Sequence, residues 1–259
     1  MEHVPPAVRD LADRLGGLGW VTDLLVAGSL ATGDYVPGVS DLDLVALTGD
    51  PAGPARQEIL ASLHRELDRG AARGLDLGCV YVDAGRLADL GALHPTWTHG
   101  SLVQRSLSGV TRAELVRHGF AVLGRPPAVV LPEMTDDDVR RAARAELCGY
   151  WAHAARRPLW WLNPVIADLG LTSMARGRHA LETGQLLTKT QAIEQAHAPA
   201  WLKDQLRARR QGQRVASPRA RTALIAWRDA RRTVAGAGRA PAGSPGRPPG
   251  GSCGVGKAL

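Results

Sequence analysis

The pattern of apolar residues changes about halfway along the sequence, and this change limits the possible folds. Over the first 90 residues, amphipathic stretches alternate with short apolar runs, namely VTDLLVAG (21–28), DLDLVAL (41–47) and LDLGCVYVD (75–83). Short apolar runs bounded by turn residues predict strands, and their alternation with helices predicts a sheet covered by helices. Beyond about residue 135 the spacing of apolar residues is helical only.

We therefore predict an α+β chain with two domains and a tail. A domain with a mixed sheet and helices covers residues 1–125, and an all-helical domain covers residues 126–235. Thr135 is a plausible N-cap for the first long helix of the second domain, and Gly184 is a good C-cap for the next. Residues 236–259 are rich in Gly, Pro and Ala and are predicted to be disordered.

The charge of the chain is unevenly distributed between these domains. Residues 1–125 contain 11 Arg and 15 Asp or Glu, a net charge of −4, whereas residues 126–235 contain 18 Lys or Arg and 10 acids, a net charge of +8. An acidic half followed by a basic half suits a cation-dependent site that also holds a polyanion, although a solvated basic surface explains it equally well.

Composition excludes several classes of protein. No apolar run reaches the roughly 18 residues needed to span a bilayer, and the N-terminus lacks a basic-then-apolar signal segment. Three cysteines, far apart and without metal-ligand spacing, favour a reducing compartment. These features predict a cytoplasmic protein with no membrane partner, and the absence of a DNA-binding motif makes nucleic acid an unfavoured partner.

The residues that point to chemistry lie between the first two predicted strands. Gly28-Ser29 ends the first strand in a turn, where backbone N–H groups and a hydroxyl can bind phosphate oxygens. Asp41 and Asp43 are two residues apart on the next strand, so both project from one face. Side-by-side carboxylates repel, and a divalent cation such as Mg²⁺ is the usual reason for them to stay ionised. The alternative is that Asp41 caps the strand and Asp43 is a solvated outward residue.

The segment GSLATGDYVPGVSDLDLVAL (28–47) resembles the signature of the nucleotidyltransferase superfamily, whose members include DNA polymerase beta and kanamycin nucleotidyltransferase. The signature is an hG[GS] turn followed by [DE]h[DE]h. The resemblance implies that Gly28 and Ser29 contact a nucleoside triphosphate and that Asp41 and Asp43 hold Mg²⁺.

The superfamily usually has a third carboxylate on an adjacent strand. The run LDLGCVYVD offers Asp76 and Asp83, and we choose Asp76 because it precedes the apolar residues, whereas Asp83 is better placed to cap the following turn. In streptomycin/spectinomycin adenylyltransferases the general base is a Glu just beyond this strand. The corresponding stretch here, HPTWTHGSLVQR (94–105), contains no acid, so the sequence departs from that family.

The helical half extends the resemblance. LTSMARGRHALETGQLLTKTQAIEQA (171–196) is similar to the C-terminal domain of the same adenylyltransferases, which implies that Arg176 and Lys189 contact the nucleotide. Lys189 also opens a predicted helix, where free N–H groups favour an anion. Arg178 lies off the face of Arg176 and is expected at the surface. Asp168 could meet a cationic substrate, but an intrahelical partner is the preferred interpretation.

Taken together, the resemblance implies a nucleotidyltransferase that transfers AMP from ATP to a hydroxyl of an aminoglycoside-type acceptor, an antibiotic-resistance activity. Asp41, Asp43 and Asp76 would be its catalytic acids. A different hypothesis is a catalytically weak nucleotide-binding regulator or toxin–antitoxin component of the same fold, which the missing Glu would favour. The sequence does not indicate an oligomeric state.

Overall fold

A computed structural model describes residues 4–239, which form a six-stranded mixed sheet followed by a bundle of helices. This arrangement confirms the predicted α+β class. The strands are β1 (Val21–Val26), β2 (Leu42–Thr48), β3 (Leu77–Asp83), β4 (Leu93–Thr98), β5 (Ser101–Ser106) and β6 (Phe120–Leu123). Their order in the sheet is β5-β4-β3-β2-β1-β6, and β2 and β3 are its one parallel pair within residues 4–239.

Helices cover both faces of this sheet. They are α1 (Pro6–Gly16), α2 (Gly28–Ala31), α3 (Pro54–Arg69), α4 (Gly109–His118) and α5 (Pro127–Val130). Leu42 and Leu44 of β2 pack into one core with α1 and α3, whereas Val45 and Leu47 pack into a second core with Leu115 of α4. The strand alternation therefore buries residues of β2 on both faces, which explains its nearly continuous apolar sequence.

The stretch between residues 93 and 123 contains structure that the sequence did not predict. Strands β4 and β5 form a hairpin whose turn is His99-Gly100, with φ of 47° and 75°. Pro95 argues against a strand because it lacks a backbone N–H donor. It is tolerated because β4 pairs with β3 only through Thr96 and Trp97.

The second domain consists of helices around their own core. They are α6 (Asp136–Glu146), a π-helical turn (Leu147–Trp151), α7 (Ala152–Ala155), α8 (Pro164–Thr183), α9 (Lys189–Gln195), α10 (Ala200–Arg210) and α11 (Arg219–Ala237). Thr135 forms a capping box with Asp138 at the start of α6, and Gly184 ends α8 in the left-handed conformation, as the sequence indicated. Trp151 and Trp161 are buried in the core of this domain.

Packing extends across two of the predicted boundaries. Leu131 lies beyond the predicted end of the first domain at residue 125, yet it packs with Leu115 in a core against the sheet. Helix α11 continues to Ala237, two residues into the segment predicted to be disordered, because Ala237 is buried in the helical core. Residues 240–259 of that predicted tail lie outside the described residues.

Between residues 4 and 239 no helix combines the length and the hydropathy needed to cross a bilayer.

Candidate functional site

The Gly28-Ser29 turn lies at the end of β1 against the second of the two acids. Ala27 donates its backbone N–H to the carbonyl oxygen of Asp43 at 2.8 Å, and Gly28 follows with φ of +60°. A Cβ on Gly28 would overlap Oδ2 of Asp43, so glycine is required both by the backbone conformation and by the close approach. Thr32 closes the turn by donating its hydroxyl to the carbonyl oxygens of Gly28 (3.2 Å) and Ser29 (3.3 Å).

The three carboxylates proposed as catalytic lie on one face of the sheet. In the parallel pair, Asp43 is opposite Gly78, and Leu42 donates its N–H to the carbonyl oxygen of Asp76 at 2.8 Å. Because side chains alternate along both strands, Asp41, Asp43 and Asp76 project toward the same side. The geometry therefore brings together the three acids chosen from the sequence, at the ends of adjacent strands.

The electrostatics of this face centre on Asp43. Solvent reaches its carboxylate, but dense surrounding protein hinders its hydration. This burial, reinforced by the negative charges of Asp41, Glu114 and Asp76, raises the pKa of Asp43 to about 6, and the charge of Lys189 opposes the rise. A carboxylate under such repulsion gains from a nearby cation.

The residues present fit a magnesium ion that is completed by phosphates. Among residues 4–239 no group of three or more His, Cys, Asp or Glu side chains forms a closed metal site. Mg²⁺ is usually bound through one or two carboxylates together with water and substrate phosphates, so an open pair such as Asp41 and Asp43 suits it.

Lys189 reaches this face from the helical domain. Its Nζ lies 3.6 Å from Oδ2 of Asp41, and both side chains are partly exposed. The start of α9 is not a free anion site, contrary to the expectation from sequence. Thr190 donates its N–H to Asp34, and Gln191 donates its N–H to the hydroxyl of Thr188.

Arg176 also lies at the boundary between the domains, with a partner that the sequence analysis missed. Its Nε donates to the carbonyl oxygen of Leu187 at 2.9 Å, and a terminal nitrogen forms an ion pair with Glu114 of α4. Glu114 is buried and contributes to the raised pKa of Asp43, so it is a fourth acid close to the site. The signal in the sequence was an acid between two apolar residues, Ala113 and Leu115.

Glu146 at the end of α6 faces the same region. Its side chain is reached by solvent, but dense surrounding protein hinders its hydration and raises its pKa, and the charge of Arg176 opposes that rise. Arg176 thus stands between two acids, Glu114 and Glu146, and a π-helical turn begins directly after Glu146. Such turns are frequent at functional sites.

Two other residues considered from the sequence have structural partners. Asp168 accepts two hydrogen bonds from Arg209 of α10, at 2.7 and 2.9 Å, and so pairs between helices rather than within its own helix. Arg178 was expected at the surface, but it donates to the buried Asp229 at 2.8 Å and to Thr233 at 2.6 Å. Both pairs join helices of the second domain.

The histidines around Trp97 show no metal-site geometry. His94 is buried, and the exposed His99 lies 3.7 Å from Asp76 through its Nδ1. The β4–β5 turn therefore places a histidine beside the third acid, which the sequence did not reveal because the hairpin itself was not predicted.

Comparison with known proteins finds one matching family and a similar fold. Residues 7–82 match the Nucleotidyltransferase domain family. This segment contains the Gly28-Ser29 turn and all three acids. No curated protein matches the sequence. The fold is similar to the crystal structure of spectinomycin adenyltransferase AAD(9) from Enterococcus faecialis with ATP and spectinomycin, with a TM-score of 0.68 and 15% identity. The match covers 88% of this chain and 98% of that one. These findings support a nucleotidyltransferase enzyme that resembles the aminoglycoside adenylyltransferases in fold.

Proposed function

We propose that the protein transfers AMP from ATP to a hydroxyl of a small aminoglycoside-type molecule, in a Mg²⁺-dependent reaction that releases pyrophosphate. The observation that carries this proposal is the convergence of Asp41, Asp43 and Asp76 on one face, beside the Gly28-Ser29 turn and opposite Lys189. The donor and the acceptor class are suggested by the solved neighbour, which was crystallised with ATP and spectinomycin.

We assign binding of the nucleotide donor, here called the donor side of the site, to residues of both domains. Asp41 and Asp43 would hold Mg²⁺, which when bound offsets negative charge on the phosphates. The backbone at Gly28 and the hydroxyl of Ser29 orient the triphosphate by hydrogen bonding. Lys189 and Arg176 of the helical domain supply positive charge near the leaving pyrophosphate, on which negative charge develops.

Asp76 is assigned to the acceptor side. In the reaction the acceptor oxygen forms a bond to the α-phosphorus, the bond from that phosphorus to the bridging oxygen breaks, and pyrophosphate leaves. The proton of the acceptor hydroxyl passes to the carboxylate of Asp76, which is exposed and lies on the face of the other two acids. Asp76 could instead complete the magnesium shell. Asp76→Asn distinguishes these roles, because loss of a base lowers kcat by roughly 10²–10⁴ with little change in nucleotide affinity.

The acidic surroundings of the site favour a cationic acceptor. Glu114 and Glu146 add to the three carboxylates, and of these five acids Asp41 and Glu114 have direct cationic partners, in Lys189 and Arg176. Amino groups of an aminoglycoside would meet complementary charge there.

The test is a panel of hydroxyl-bearing acceptors incubated with ATP labelled at the α-phosphate, with transfer of label and release of pyrophosphate both measured. We expect label on at least one aminoglycoside, and no transfer by Asp41→Asn or Asp43→Asn proteins that retain the wild-type circular dichroism. Magnesium-dependent ATP binding without transfer to any acceptor would favour the catalytically weak nucleotide-binding regulator or toxin–antitoxin component. Absence of nucleotide binding would overturn both.

A further inference from the structure

The loop between the Gly28-Ser29 turn and Asp41 is held by the other domain, and its anchor is Asp34. The side chain of Asp34 is only 13% exposed, although it lies in a loop. Its backbone N–H donates to the carbonyl oxygen of Ser29 at 2.9 Å, which ties it to the phosphate-binding turn. Its carboxylate receives its hydrogen bonds from the helical domain.

Thr190 provides two of these hydrogen bonds. Its N–H donates to Oδ2 of Asp34 at 3.1 Å, and its hydroxyl donates to Oδ1 at 2.5 Å. Thr190 directly follows Lys189, so these contacts fix the first turn of α9 against the loop.

Arg210, at the end of α10, provides the remaining hydrogen bond to the Asp34 carboxylate. One terminal nitrogen donates to both the carbonyl oxygen and, at 3.1 Å, Oδ2 of Asp34, and the other donates to the hydroxyl of Ser40 at 2.7 Å. The Arg210 side chain is 10% exposed, and Ser40 directly precedes Asp41. Burial works against ionisation of Asp34, but the bonds from Thr190 and the charge of Arg210 hold its pKa below the ordinary value.

Asp34 is thus connected to all three parts of the donor side. It touches the turn through Ser29, it touches the lysine helix through Thr190, and Arg210 links it to the residue before Asp41. The distance of 3.6 Å between Lys189 and Asp41 spans the same boundary.

We propose that Asp34, Thr190 and Arg210 form an interdomain latch of positioning residues, which sets Lys189 against Asp41 and thereby determines nucleotide affinity. The proposal rests on the proposed function for its catalytic consequence. It predicts that breaking the latch weakens binding of Mg·ATP while the affinity for the acceptor changes little. Asp76 precedes β3, which pairs with β2 on the edge away from β1 and its Gly28-Ser29 turn.

The first experiment compares two substitutions at one position in the full-length protein. Thr190→Val removes the hydroxyl but keeps the shape, and Thr190→Ser keeps the hydroxyl. We expect the KM for ATP to rise roughly 10-fold in Thr190→Val, as for loss of a hydrogen bond to a buried charge. Thr190→Ser should restore most of the affinity, and the acceptor KM should change less than threefold.

A matched pair of arginines on α10 provides the control. Arg210→Gln should raise the ATP KM as Thr190→Val does. Arg207→Gln removes an arginine from the same helix whose partners, Glu194 and Asp204, both belong to the helical domain, and it should leave the ATP KM unchanged. Equal effects of Arg207→Gln and Arg210→Gln, or equal KM values in Thr190→Val and Thr190→Ser, would overturn the proposal.

Amide hydrogen exchange tests the latch without any nucleotide. In Asp34→Ala, the amides of Thr190 and of the loop over residues 29–41 should exchange at least 10-fold faster, while those of β2 stay protected. If the wild type fails to bind Mg·ATP, the proposed function fails and exchange alone decides whether the latch exists. Unchanged exchange in Asp34→Ala would overturn the latch whatever the enzyme does.

Discussion

The carboxylate of Asp43 lies directly against the Cα of Gly28, so the turn and the second acid occupy one continuous surface. The two residues are brought together by the antiparallel pairing of β1 and β2. A phosphate held at the turn would therefore lie next to the acid.

Gly28→Ala should abolish nucleotide binding, because the added methyl group overlaps the Asp43 carboxylate in a backbone conformation that already disfavours alanine. Gly19→Ala is the matched control. Gly19 has φ of +73°, but an added Cβ would meet no atom within 4 Å. We expect Gly19→Ala to destabilise the fold by about 1 kcal/mol and to keep nucleotide binding. Titration with Mg·ATP and thermal unfolding would distinguish the Gly28 variant from its control. Equal nucleotide affinities of the two variants would contradict the assignment of Gly28.

Asp43→Asn should stabilise the protein while removing its activity. The pKa of Asp43 is raised to about 6 in the folded state from an ordinary 3.8, so the ionised carboxylate opposes folding at neutral pH. That penalty is present above pH 6 and is relieved as pH falls below 6, where the folded protein takes up a proton. Unfolding at pH 7.5 and pH 5 should show a Tm increase in Asp43→Asn that is larger at pH 7.5. A lower Tm at both pH values would show that Asp43 instead supports the fold.

His64 should make the protein sensitive to acid. It is fully buried, its Nε2 lies 2.7 Å from the hydroxyl of Tyr81, and burial lowers its pKa to about 3. Unfolded histidine binds a proton near pH 6.5, so between pH 6.5 and pH 3 the unfolded state holds more protons. Stability is then lost as pH falls, by up to about 1.4 kcal/mol per pH unit for this group. Urea unfolding across this range should show a smaller pH slope in His64→Phe than in the wild type, and equal slopes would refute this account.

The pair of Arg178 and Asp229 should be worth more to stability than an exposed ion pair. Asp229 is fully buried and also lies 3.2 Å from Nδ1 of His197. Asp229→Ala leaves the arginine without its charged partner, which typically costs 3–5 kcal/mol, whereas Asp204→Ala breaks an exposed pair with Arg207 and should cost less than about 1 kcal/mol. Chemical denaturation of both variants measures the difference. A loss below about 1 kcal/mol in Asp229→Ala would show that the arginine finds another partner.

Local pattern was enough to predict the elements that carry the acids. Strands β1 to β3 and the helical character of the chain beyond residue 135 follow from apolar periodicity and from capping residues such as Thr135 and Gly184. The common face of Asp41 and Asp43 follows from strand alternation. The third acid could be selected because Asp76 precedes an apolar run, although its parallel pairing with β2 is a property of the folded sheet.

Contacts between distant residues could not be predicted in the same way. Glu114 is 62 residues from Arg176, and Asp34 is 156 residues from Thr190, so no local pattern relates them. The helix start at Lys189 appeared free for a phosphate because its occupant lies in the other domain. The β4–β5 hairpin was missed because Pro95 stands inside a strand.

The packing of Leu131 against the sheet has a consequence for splitting the chain into two fragments at this position. A fragment that ends at Leu131 carries a net charge of −4, and the remainder carries +11. The two fragments of a split protein would attract each other before any specific contact forms. This attraction would bring the fragment that contains Lys189 and Arg176 toward the fragment that contains the acids. Reassembly from such pieces should therefore be fast in dilute buffer and slow in high salt, because ions screen the attraction over about 10 Å at 0.1 M.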